Sequence, residues 1–101
     1  MNNTTHWTVP LDHPAFAGHF PGTPILPGVV LLDIVLHAIA AATGIALDIC
    51  EIRSVKFLSP AKPGDELVIQ HVISASGTIH FDIVAGTRKI ASGSITPGSP
   101  A

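Results

Sequence analysis

The run from Pro27 to Thr43 constrains this chain more than any other feature. It holds no interior helix breaker, and Gly44 follows it as a suitable residue to stop a helix in the left-handed region. Pro27 suits the first helical turn, where a missing N–H costs nothing. Val29 to Leu32, Ile34 to Leu36 and Ala38 to Ala42 place apolar side chains on every side of the helical wheel. A helix that is apolar all round is a buried helix, so something must wrap it. A bilayer is not that something. The stretch from Val29 to Ala42 is 14 residues long and contains Asp33 and His37, whereas a crossing needs about 20 apolar residues.

The wrapping must come from the rest of a 101-residue chain, which is the size of one domain, residues 1–101. The segments Ile49–Leu58, Glu66–Ala75, Thr78–Ala85 and Arg88–Thr96 are rich in Ile and Val, and a short strand is expected over His6–Val9. Turn signals separate them: Pro60 to Asp65, Ser76-Gly77 and Gly86-Thr87. Ile79, Phe81 and Ile83 alternate with Thr78, His80 and Asp82, which predicts one buried sheet face with His80 outward. Strands joined by such short turns are antiparallel. One long helix against a curved antiparallel sheet is an α+β arrangement.

Composition adds an assembly state. Charged residues make up 12% of the chain, about half the usual ~25%, and the hydrophobic set is 47%. A domain this small covers only about two thirds of its unfolded surface by itself. Another subunit is therefore expected to cover the rest, most simply in a two-fold homodimer or a higher oligomer of dimers. Five basic residues and a net charge of −2 leave no footprint for nucleic acid. Cys50 is the single cysteine, and no three histidines have metal-ligand spacing, so neither a disulfide nor a metal site is expected. The polar start MNNTTHWTVP shows no signal-peptide pattern, and a cytoplasmic location is expected.

Residues 10–28 carry the chemistry. Pro10, Pro14, Pro21, Pro24 and Pro27 stiffen this long segment, and long loops inside small domains are functional or disordered. Five prolines among Phe16, Phe20, Ile25 and Leu26 favour a fixed binding loop. The segment Gly18-His-Phe-Pro-Gly-Thr-Pro-Ile-Leu-Pro-Gly-Val29, followed by a helix carrying an acidic residue, resembles the signature of FabZ/FabA-type 3-hydroxyacyl-(acyl carrier protein) dehydratases. Lys56 to Leu67 resembles that family's strand–turn–strand segment, and the likeness covers roughly residues 5–96. It implies a hotdog fold, a dimer with active sites at the subunit interface, and a substrate carried on acyl carrier protein. It requires no cofactor.

The chemistry explains the residue types. Dehydrating a 3-hydroxyacyl thioester removes a proton from C2 and expels the C3 oxygen as water. His19 is the expected base, because neutral imidazole accepts a proton near pH 7. Asp33 is the expected acid or water holder, and desolvation on an apolar helix would keep it protonated. Gly28 opens the helix, where unpaired N–H groups and the positive dipole end suit an enolate-like oxygen. Phe20, Pro27 and His37 are expected to contact substrate. His37 stands where the family commonly has glutamine, and Asp33 matches FabA-type rather than FabZ-type members. A structural Asp33–His37 pair, four residues apart on the helix, is the plain alternative to a catalytic Asp33.

His6, His13, His71 and His80 read as structural, and Cys50 as a small buried hydrophobe. Arg53, Lys56, Lys62, Arg88 and Lys89 are the only basic residues that an acidic carrier could meet. The chain is shorter than the housekeeping enzymes, which suggests a specialised pathway of the polyketide or aryl-polyene type. Two other functions share the fold: an acyl-thioesterase, and a non-catalytic acyl-binding partner that completes a heterodimer.

Overall fold

The structure, a computed structural model, describes residues 2–12 and 25–98. Its elements run β1 (Asn2–Thr8), α1 (Gly28–Thr43), β2 (Cys50–Phe57), β3 (Glu66–Ile73), β4 (Ile79–Ala85) and β5 (Arg88–Pro97). The five strands form one sheet in the order β1-β3-β4-β5-β2, and every pairing is antiparallel. The expected α+β architecture of one helix and an antiparallel sheet is what forms.

Helix α1 stops as the sequence predicts: Gly44 adopts φ 75° and donates its N–H to the Ala40 carbonyl at 2.9 Å. Its start differs by one residue. Pro27 is not in the first turn but caps it, with φ −58° and ψ 144°. The extended ψ lets its carbonyl accept from Val30 and Leu31 at 3.0 and 3.1 Å, as a cap residue's should.

Two further departures concern the strands. β1 begins four residues before the expected His6, because Asn2 to Thr5 carry no apolar alternation and form a strand only through pairing with β3. The proline-containing turn after β2 does not make a hairpin either. β2 pairs with β5 and lies at the sheet edge opposite β1, far from β3 in the order. Leu58 and Ser59 donate to the Ile90 carbonyl and Gly64 to that of Val9, so residues 58–65 pass from one side of the sheet to the other. With no N–H on Pro60 or Pro63, this segment cannot continue a two-strand ladder.

The core lies between α1 and one face of the sheet. Leu31, Val35 and Ile39 come from the helix, and Leu67, Ile69, Ile79, Phe81, Ile83 and Ile95 come from β3, β4 and β5. Only this stripe of the helix is fully buried. At 100° per residue, Val29, Asp33 and His37 lie on the opposite side, and all three are exposed, Val29 at 76%. The chain's own sheet therefore does not wrap the helix as its composition predicts. A single sheet touches one side of a cylinder, and the remaining apolar side is left open.

Candidate active site

The chain enters α1 under tight control. Leu26 is buried and donates its N–H to the Ala61 carbonyl at 2.8 Å, which fixes the approach to Pro27. No side chain caps the helix, and no acidic residue stands in its first turn. The first N–H groups thus keep their positive end uncompensated. Gly28 is packed tightly: a Cβ built there would lie 2.9 Å from Cζ of Phe57. A cavity of about 380 Å³ opens beside it, lined by Ile25, Leu26, Gly28, Phe57 and Ala61 among others. Pro27 is partly buried at this edge.

Asp33 and His37 form a pair one turn apart. The His37 Nδ1 lies 2.8 Å from the main-chain carbonyl oxygen of Asp33 and 3.5 Å from its Oδ1. A carbonyl only accepts, so Nδ1 carries the proton and Nε2 is the acceptor of the neutral ring. Their side chains are 70% and 78% exposed. The desolvation expected at Asp33 is therefore absent from this structure, because the residue faces away from the core. The side-chain pair of Asp33 and His37, the plain alternative to a catalytic Asp33, does form, and it lies at the surface. The pair forms the ridge between two open grooves. One, of about 450 Å³, runs along Leu36, Ala40, Leu47, Asp48 and Cys50. The other, of about 580 Å³, runs between the helix and Thr5, His6 and Trp7 of β1.

Gly28 and Asp33 do not converge. Five residues of helix separate them by about 7.5 Å along the axis and about 140° around it. An N–H at the helix start and the Asp33 carboxylate therefore serve different sides of one helix. His19 and Phe20 lie outside the described residues, as do His13, Pro14, Phe16, Pro21 and Pro24.

Among the other singled-out residues, His6 and His80 are exposed as surface histidines, and Cys50 is half-buried in a groove wall rather than in the core. His71 is in the core at 1% exposure, and neither ring nitrogen has a hydrogen-bond partner among the described residues. Burial holds its pKa below the usual histidine value. The sequence reading missed Phe57 and Trp7 as cavity-lining residues. Phe57 sits at the end of an Ile- and Val-bearing strand and carries no local signal; only its approach to Gly28 marks it. Among the described residues no group of three or more His, Cys, Asp or Glu side chains could hold a metal, and no helix is long and apolar enough to cross a membrane.

Comparison with known families decides the lineage. A family model described as ApeI-like, ApeI dehydratase, matches residues 2–94. The chain belongs to the ApeI-like dehydratase family. It is similar to the 3-hydroxyacyl-(acyl-carrier-protein) dehydratase FabZ of Chlamydia trachomatis, with 36% identity over 101 residues. That match takes in 87% of this chain and 66% of the relative, so the chain spans just under two thirds of its length. Among solved structures, the dehydratase heterocomplex ApeI:P from Xenorhabdus doucetiae superposes with a TM-score of 0.77 at 26% identity, covering 94% of this chain and 85% of that one. A probable thioesterase from Bartonella henselae reaches 0.68 at 14% identity, covering 94% and 86%, a likeness of fold alone. The hotdog fold implied by the Gly18–Val29 signature is thus the fold of the family.

Proposed function

We propose that the chain dehydrates 3-hydroxyacyl thioesters carried on acyl carrier protein to the trans-2-enoyl thioesters, as a homodimer with shared sites in the cytoplasm. The observation that carries this reading is Asp33: a carboxylate on the side of α1 turned away from its own core, at the junction of two grooves. On that face the carboxylate is open to whatever packs there. His19 of one subunit removes the C2 proton, and the thioester oxygen takes up the charge against the N–H groups at Gly28. Asp33 of the partner subunit, as the acid or as the holder of a water, delivers a proton to the 3-hydroxyl. The C3–O bond breaks, water leaves and the C2–C3 double bond forms. Phe20, Pro27 and His37 line the path of the substrate. The roughly 140° between Gly28 and Asp33 supports a site built from two chains, since one helix cannot aim both at the same atom.

The test is hydration of 2-enoyl thioesters on carrier protein, followed as loss of enone absorbance. Wild type is expected to turn over, and His19→Ala and Asp33→Asn each to lose at least 100-fold with the fold intact. Full activity in either variant overturns the mechanism. Release of free thiol in place of hydration would instead make the chain a thioesterase, and inactivity of a well-folded protein would favour the non-catalytic partner.

A further inference from the structure

We infer that the first half of β1, Asn2 to Thr5, is an acid-released strap, which leaves the sheet when the buried side chain of His71 takes up a proton. The inference goes beyond the dehydratase reading and stands independently of it.

The fold places His71 where it cannot hold a charge. It is the last buried residue along β3, on the core face with Leu67 and Ile69, and both ring nitrogens lack a hydrogen-bond partner among the described residues. A neutral ring leaves two polar groups unmet there, and an imidazolium would be an unpaired buried ion, which costs far more. Among the described residues no charged group faces the ring. α1 turns Leu31, Val35 and Ile39 to the core and keeps Asp33 and His37 on its exposed side. β4 sets Phe81 opposite His71, while His80 and Asp82 point to the other face of the sheet. On β1 the titratable residue is His6, which is exposed and stands opposite Val68, three positions along from Asn3, the residue paired with His71. Glu66, at the other end of β3, is exposed; Arg88 and Lys89 of β5 pair with Asp65 and Asp82. The proton is therefore held only where water reaches the ring.

Topology decides which element gives way. His71 lies between β4 on one side and β1 on the other. β4 is held by ladders along both of its edges, to β3 and β5, whereas β1 is an edge strand bonded to β3 alone. The residues from Asn2 to Thr5 include no large apolar side chain. The far end of the segment is anchored. Val9 is fully buried, donates to the Asp65 carbonyl at 2.9 Å and accepts from the Gly64 N–H at 2.8 Å, and Trp7 packs on the core. Lifting Asn2 to Thr5 uncovers β3 from Val72 to Ile69, a span that contains His71, and leaves those anchors in place. Such strand ends open at low free energy, and a proton bound only by the open form makes pH set how often they do.

The strap also reaches the groove beside Asp33. Thr5, His6 and Trp7 form its β1 wall, and Asp33, Ile34, His37 and Ala38 form its helix wall. Release of Thr5 takes away one end of that wall, so acid widens the groove.

In the open form the ring titrates near the ordinary histidine value of about 6.5, and in the closed form burial holds it lower. Opening is then independent of pH above about 6.5 and rises up to about tenfold per pH unit below it, until the closed-state value is passed.

Hydrogen exchange of the full chain at pH 7.5 and 5.5, read by peptide mass and divided by the intrinsic chemical rate at each pH, tests this. Opening of the peptide that contains Asn3 to Thr5 is expected to rise about five- to tenfold at pH 5.5, with β4 and β5 more protected than β1 at both values. His71→Leu and His71→Phe, two apolar replacements of which either suffices, are expected to abolish the rise. His6→Gln removes the histidine of β1 itself and is expected to keep it. Unchanged opening of β1 at pH 5.5, or a rise that survives in a folded His71 variant, overturns the inference. So does a β1 peptide protected as fully as β4 and β5, because His71 would then gain its proton only when the whole domain unfolds.

Discussion

Replacing His71 with leucine should make the protein more stable. His71 lies on the core face of β3, two residues beyond Ile69 and opposite Phe81 of β4, with 1% of its surface exposed. Its neutral ring offers one donor and one acceptor, and neither finds a partner among the described residues. Each unmet polar group in the core costs about 1–3 kcal/mol, and a leucine of similar size removes both while adding apolar burial. A gain of about 1–3 kcal/mol at pH 7.5 allows for imperfect packing. For a domain of this size that is roughly 4–8 °C in Tm per kcal/mol. The gain should also grow in acid. Burial lowers the pKa of His71 in the folded state, so below the unfolded value of about 6.5 the unfolded chain binds the extra proton. Wild type then loses up to about 1.4 kcal/mol of stability per pH unit until the folded-state pKa is passed, and the leucine variant does not. Urea denaturation of both proteins at pH 7.5 and 5.0, at equal protein concentration, isolates this residue, because the other titrating groups are common to both. A variant less stable at pH 7.5, or a difference that does not widen at pH 5.0, would refute the reasoning.

Two glycines give further expectations. Gly93→Ala places a Cβ 2.5 Å from the Ser54 carbonyl oxygen and 2.8 Å from Phe81 Cζ, within the sheet between β4 and β2. Backbone cannot yield there without breaking a ladder, so a loss of about 1–3 kcal/mol or more is expected by thermal unfolding. A stable Gly93→Ala protein would mean that β2 sits differently on β5. The nearest atoms that the Cβ of Gly28→Ala meets belong to the half-exposed ring of Phe57, which can turn aside. Its stability should fall by less than about 1 kcal/mol while the hydration rate falls at least tenfold, read from melting and the enone assay together. Equal losses in stability and rate would make Gly28 a packing residue only.

Much of this protein was legible in its residues because the deciding forces were local. The unbroken apolar run and Gly44 define α1, since a left-handed stop and the absence of breakers act within a few residues. The alternation in β4, with Ile79, Phe81 and Ile83 inward and His80 outward, follows from the two-residue period of any strand. The Gly18–Val29 signature pointed to the family that the match over residues 2–94 shows. Tertiary structure alone decided the rest. Which strands are neighbours depends on contacts between distant segments, so β2 joined β5 and not β3. The polar strand β1 exists because β3 offers it a ladder. Above all, packing decided which stripe of a helix whose apolar surface is interrupted by Asp33 and His37 meets the sheet. It chose Leu31, Val35 and Ile39, and thereby turned Asp33 and His37 outward, away from the core.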